Sequence, residues 1–183
     1  KENIFTPVIR SQVRKQKITN KGHYTVYLPS YDDKRLISFL SEFKDVSWDI
    51  FSKHNSKRLT IKNISIQPID GEKFIASMAS SAGVLCGAGF ETPAEALFLG
   101  KKLMVIPMKN QYEQHLNAAA LKAMKVPVIN SLKPKYKPLI SLWLNNEQSI
   151  PVTYPDVTQE IIDMIVEKHK ADTTFDSDEA LFI

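Results

Sequence analysis

The chain of 183 residues has a single cysteine, Cys86, so it has no internal disulfide framework and is expected in a reducing compartment. Cys86 closes an apolar stretch with no neighbouring base to activate it, and reads as a small core residue. No run of eighteen apolar residues occurs, which excludes a membrane-spanning helix. No signal peptide is apparent, so a cytoplasmic location is expected. Histidine is sparse: His23, His54, His115 and His169 lack metal-ligand spacing, and neither a metal nor another cofactor is expected. Glycine is also scarce, six in all, yet two of the six fall within three residues, at Gly87 and Gly89.

What is present is ordinary in amount and uneven in distribution. The net charge is +4, but residues 1–73 carry 14 Lys and Arg against 8 Asp and Glu, whereas residues 74–183 carry 10 against 12. The basic first half suits phosphates, an anionic membrane surface or nucleic acid, or is simply a solvated basic face. No nucleic-acid motif accompanies it, so nucleic acid is not an expected partner, while peripheral membrane contact stays open. The opening stretch, Arg10-Ser11-Gln12-Val13-Arg14-Lys15-Gln16-Lys17, reads as a linker entered part-way. Residues 1–22 are assigned to that linker, 23–171 to one domain and 172–183 to an acidic tail.

Within the domain, strand and helix patterns alternate. Tyr24-Thr25-Val26-Tyr27-Leu28 reads as a strand, and Leu36, Ile37, Leu40 and Phe43 recur at helical spacing behind Asp32 and Asp33. Val46–Phe51 alternates as a second strand, Ser52–Lys57 is a polar loop, and Ile64–Ile69 is a third strand. A short helix follows Gly71. Strand 83–86, helix 92–99, strand 102–107 and helix 110–124 come next, then a short strand at 125–129. Four prolines make 130–157 irregular, with one short helix near Leu139–Leu144, and a last helix covers 157–170. This order predicts an α/β fold: a Rossmann-like, mostly parallel sheet with helices on both faces. Ligands of such sheets sit beyond the carboxyl ends of the strands.

Three segments converge on that rim. Val84-Leu85-Cys86-Gly87-Ala88-Gly89 is a strand running into a glycine turn, and the turn opens a helix. Glycines let a backbone approach a ligand closely, and a helix N-terminus offers free N–H groups with partial positive charge. Strand, glycine turn and helix start together make a phosphate seat. The second segment, Asn110-Gln111-Tyr112-Glu113-Gln114-His115, puts amides and a carboxylate where they suit sugar hydroxyls. The third is the loop after the first strand, with Ser30. Thr92-Pro93-Ala94-Glu95 also matches a capping box with Pro at the first helical position, so Glu95 has a structural alternative.

Residues 86–118, C-G-A-G-F-E-T-P-A-E-A-L-F-L-G-K-K-L-M-V-I-P-M-K-N-Q-Y-E-Q-H-L-N-A, resemble the C-terminal half of GT-B glycosyltransferases, in the branch of the family 28, MurG-type N-acetylglucosaminyltransferases. The resemblance is strong over residues 64–129. It implies that Glu95 holds the ribose hydroxyls and that Glu113 and Gln114 contact the donor sugar, with Thr92 and Gln111 in the same set. It implies that Gly87-Ala88-Gly89 approaches the diphosphate, that Ile69 faces the base and that Ser30 touches phosphate. Phe90-Glu91 departs from the small residues many relatives carry after the turn. Asn117 reads as a structural amide tying its helix to a neighbouring loop.

The expected function is therefore the donor-binding half of a hexosyl-transferring enzyme. Its donor would be a UDP-sugar, UDP-N-acetylglucosamine or a related UDP-hexose. The catalytic base would lie in an N-terminal acceptor domain, present in cis or in trans. Alternatives are a stand-alone donor subunit pairing with a separate acceptor subunit, a GT-B-fold nucleotide-sugar epimerase, and a non-catalytic interaction module.

Overall fold

The computed structural model describes residues 4–170, so the expected acidic tail lies outside the described residues. The chain divides into two compact units, Ile9–Tyr154 and a second one formed by the flanking segments up to Val8 and from Pro155. In the flanking unit, helix α7 (Thr158–His169) starts behind Asp156, whose Oδ1 accepts from the Thr158 amide and hydroxyl.

The larger unit is built on six strands: β1 (His23–Tyr27), β2 (Ser47–Ser52), β3 (Leu59–Ile61), β4 (Ile64–Pro68), β5 (Gly83–Gly87) and β6 (Lys102–Ile106). Their order is β3-β4-β2-β1-β5-β6. All neighbours are parallel except β3, which pairs antiparallel with β4. The helices are α1 (Ser11–Arg14), α2 (Asp33–Leu40), α3 (Gly71–Ser80), α4 (Glu91–Phe98), α5 (Tyr112–Ala123) and α6 (Lys137–Asn145). Aspartates start two of them: Asp32 accepts from the Arg35 amide ahead of α2, and Asp70 from the Lys73 amide ahead of α3.

Strand alternation divides the core in two. On one face Val84, Cys86, Leu103 and Val105 pack against Met78 of α3, Leu97 of α4 and Leu121 of α5. On the other, Val26, Ile50, Ile66, Leu85 and Met104 pack against Leu36 and Leu40 of α2 and Ile140 and Trp143 of α6. Burial also pushes the Cys86 thiol well up, which leaves it an unreactive core residue.

Three expectations change. Residues 9–22 are not a separate linker: Ile9 and Val13 are buried in the first cluster, Val13 from within α1, which precedes β1. The buried Lys101 secures the same segment by donating to the Thr19 and Ser81 carbonyls at 2.6 and 2.9 Å. Residues 125–129 make only one bridge, Val105 with Val128, because Pro127 has no N–H to extend a ladder. Strand β3 was not expected, since three residues between polar flanks leave no readable alternation.

Candidate functional site

The carboxyl ends of β1, β5 and β6 surround a small cavity of about 100 Å³. Ser30, Gly87, Gly89, Thr92 and Gln114 line it, joined by Tyr27, Leu28, Pro29 and Met108. Five residues selected from three separated segments thus meet in one place. The local causes are simple. β5 ends at Gly87, the chain turns through Ala88 and Gly89, and α4 starts at Glu91.

The two glycines are not required by the protein. Neither has a left-handed backbone. A Cβ on Gly89 would meet nothing within 4 Å, and one on Gly87 would lie 3.5 Å from Gln114 Oε1, an ordinary contact. The space they leave opens on the cavity. Ala88, between them, is fully buried, and its carbonyl accepts from Asn117 Nδ2 at 3.2 Å. Asn117 therefore ties α5 to the turn, as expected.

Gln114 is held at both ends of its amide. Its Oε1 accepts from the Met108 amide at 2.9 Å, and its Nε2 donates to Gln111 Oε1 at 3.0 Å. Gln111 precedes α5 and supports Gln114 without lining the cavity. Glu113 is exposed, with Oε1 accepting from Asn117 Nδ2 at 3.4 Å. Ile69 is an exposed apolar residue at the end of β4, away from the cavity lining. Phe90 and Glu91 are exposed and do not line it either.

Glu95 takes a position that neither sequence reading described. Helix α4 starts before Thr92, Pro93 is its third residue, and no side chain caps it, so the capping box does not form. Instead, Glu95 is 2% exposed, and both its oxygens accept from Arg10: Nε to Oε1 at 2.6 Å and Nη2 to Oε2 at 2.8 Å. The hydrogen bond to Glu95 is the foremost cause that holds the Arg10 guanidinium above its ordinary value. Arg10 was hidden within the presumed linker. The signal that could have found it is the apolar pair Ile9 and Val13, four residues apart among charges, which marks a segment with a buried face. Arg14 reinforces the docking from the same side, its guanidinium 4.9 Å from the centre of the Phe98 ring.

Among the described residues no group of three or more His, Cys, Asp or Glu is placed to hold a metal ion, and no helix is long and apolar enough to cross a membrane.

A parallel α/β sheet with a glycine turn and a helix start at its carboxyl rim defines a class of ligand-binding domain, and comparison with known proteins gives the family. Residues 1–137 match the glycosyl transferase family 1 model, so the chain belongs to that family. No curated protein sequence matches. Among solved structures, the chain is similar to the glycotransferase of kitacinnamycin, with 15% identity, TM-score 0.57, and coverage of 90% of this chain and 45% of that one. It is similar to UGT89C1 of Arabidopsis thaliana complexed with UDP, with 15% identity, TM-score 0.51, and coverage of 85% and 45%. It is also similar to the glycosyltransferase SnogD from Streptomyces nogalater, with 13% identity, TM-score 0.50, and coverage of 88% and 46%. These likenesses establish the GT-B type of fold. The chain spans a little under half the length of each.

Proposed function

We propose that this unit binds the nucleotide-sugar donor of a glycosyltransferase, with the diphosphate seated in the cavity at Gly87–Gly89. The observation that carries the reading is the vacant space over Gly89 beside the start of α4, which the fold itself does not need. Backbone N–H groups and the helix dipole there would stabilise negative charge as it grows on the leaving diphosphate. Metal ligation is not part of this reading. A cavity of about 100 Å³ takes a phosphate-sized group, whereas whole-ligand pockets are about 300–1,000 Å³. The rest of the donor would lie across the open rim, with Ile69 towards the base and Glu113 and Gln114 towards the sugar. An acceptor domain, in cis or in trans, would close over it and supply the base. The UDP complex of a structural neighbour supports a uridine donor. UDP-N-acetylglucosamine or a related UDP-hexose, as in the MurG-type branch, is the specific donor we favour.

Glu95 is the proposed ribose contact. A carboxylate has about four lone-pair sites, and Arg10 takes two, so the ribose hydroxyls would share Glu95 with Arg10 or displace it. Arg10 is then a positioning residue for Glu95.

The test is Gly89→Val with UDP titrated by calorimetry. The added side chain enters open space, so urea stability should stay within about 0.5 kcal/mol of wild type. UDP affinity should fall about a hundredfold as the phosphate seat fills. Unchanged UDP affinity in the folded variant would remove the diphosphate from this cavity.

A further inference from the structure

A parallel sheet is normally buried on both faces, and its strands read as continuous apolar runs. β2 and β4 break that rule although β2 is an inner strand. Trp48, Ile50, Ile64 and Ile66 point into one core, whereas Asp49, Ser65 and Gln67 point to the opposite face. Those polar residues form the floor of a groove of about 840 Å³ over the amino-terminal ends of β1 and β2 and along β4, between α3 and β3. The groove lies towards the end of the sheet opposite the glycine turn.

The floor is an ordered hydrogen-bond network. Asp49 accepts from Gln67 Nε2 at 2.8 Å and from Ser77 Oγ at 2.6 Å. Ser77 Oγ lies 2.8 Å from Thr25 Oγ1 and 3.2 Å from His23 Nε2. The rim is cationic. Lys17, Lys21, Arg58, Lys62 and Lys73 reach it from three separate segments, against Asp49 as the single carboxylate. Lys17, Lys21 and Lys62 have no ion-pair partner among the described residues. Arg58 is oriented by donating Nε to Ser65 Oγ at 2.9 Å, and among the described residues its terminal nitrogens have no hydrogen-bond partner.

We infer that this groove binds a phosphate ester of a polyol, such as a sugar phosphate or an inositol phosphate. Phosphate suits unpaired lysines and a fixed guanidinium. Hydroxyls suit a floor of carboxylate, amide and hydroxyl groups with spare lone pairs. Single-stranded nucleic acid fits poorly, because such binding needs exposed aromatic platforms and the one aromatic here, Trp48, is buried. The same chemistry is available free in solution or as a phospholipid headgroup. This inference does not depend on the donor-site reading.

The full chain is titrated with inositol hexakisphosphate, glucose phosphate and inorganic phosphate. It is also sedimented with phosphatidylcholine vesicles, with and without phosphatidylinositol phosphate. A double variant, Arg58→Gln with Lys62→Gln, serves as the disabled groove, with its fold checked by circular dichroism. Both positions are exposed, so the variant should fold. Tighter binding of a polyol phosphate than of inorganic phosphate, weakened at least about tenfold in the double variant, supports the site. Binding confined to soluble esters identifies a metabolite-type ligand, and binding to doped vesicles identifies a headgroup. Two results overturn the inference: no binding of any of these probes, or equal binding by wild type and double variant.

Discussion

Glycines stand at both ends of β5, for opposite reasons. A Cβ on Gly83 would lie 2.9 Å from the Lys102 carbonyl oxygen and 2.9 Å from Tyr24 Cε1. The protein itself fills that space. At the other end of the strand, Gly89 faces nothing and Gly87 has only an ordinary neighbour. A glycine explained by packing says nothing about function. A glycine that no protein atom explains leaves open space, as at the exposed Gly71, and at Gly87 and Gly89 that space lies at the rim where α/β sheets hold ligands. The contrast sets a glycine that packing requires against two that it does not, at opposite ends of one strand and its following turn.

The largest expected effect on stability breaks the packed end. Gly83→Ala forces a methyl against a backbone carbonyl that cannot move cheaply, and should cost about 2–3 kcal/mol in urea unfolding. Gly89→Val should leave the same curve in place while weakening UDP about a hundredfold at the proposed site. Equal stability of the two variants would erase the distinction between the glycines.

Next is the pair that joins α4 to the N-terminal segment. Arg10→Ala leaves a buried carboxylate without its partner. A fully buried pair would lose about 3–5 kcal/mol, and the 46% exposure of Arg10 brings the expectation to about 2. Adding Glu95→Gln to that variant should recover part of the loss by removing the stranded charge. If the single variant is as stable as wild type, the pair does not hold the segment. Glu95→Ala titrated with UDP then decides its ligand role, since loss of a ribose contact should weaken binding by about 1.5–3 kcal/mol.

A smaller effect sharpens the functional end. Gln114→Ala removes the acceptor of the Met108 amide and should cost about 1 kcal/mol of stability. In calorimetric titrations it should weaken UDP-sugar more than UDP, because its amide lies on the side assigned to the sugar. Equal weakening of both would make Gln114 a purely structural brace.

The smallest effect concerns pH at the amino end of the sheet. Burial is the main cause holding the His23 imidazole below its usual value, opposed by the charge of Asp49. The unfolded chain therefore takes up its proton first. Stability should fall as pH drops through the unfolded value of about 6.5 and level off below the folded one. Chemical denaturation across that range should show the slope, and His23→Gln should flatten it. An unchanged slope in the variant would assign it to another group.

The rim was legible because its parts are local. Gly87, Gly89 and Thr92 lie in one short motif, and Gln114 follows a recognisable strand and turn. Alternating periods of two and of 3.6 place these segments at the same sheet end from the sequence alone. The misplaced features are non-local. For Glu95 the sequence offers a ribose contact by resemblance, with capping as the alternative. The helix starts too early for the cap, and neither reading holds a trace of Arg10, 85 positions away, from whose guanidinium the carboxylate accepts. The groove had no motif either. Its rim collects Lys17, Arg58, Lys62 and Lys73 from segments that share nothing but charge, and only the alternation of Trp48-Asp49-Ile50 hinted that one face of β2 is polar.

Sequence by itself determined the class of fold, the strand and helix order of its centre, the glycine turn and the absence of a disulfide. These follow from side-chain periodicity and residue chemistry, which act over a few neighbours. Tertiary structure alone decided the sheet order with its antiparallel edge, the burial of Ile9 and Val13 and the Arg10–Glu95 pair. It also decided which glycines are free. Those depend on which distant segments share the same space, and no spacing along a chain encodes that until the core has packed.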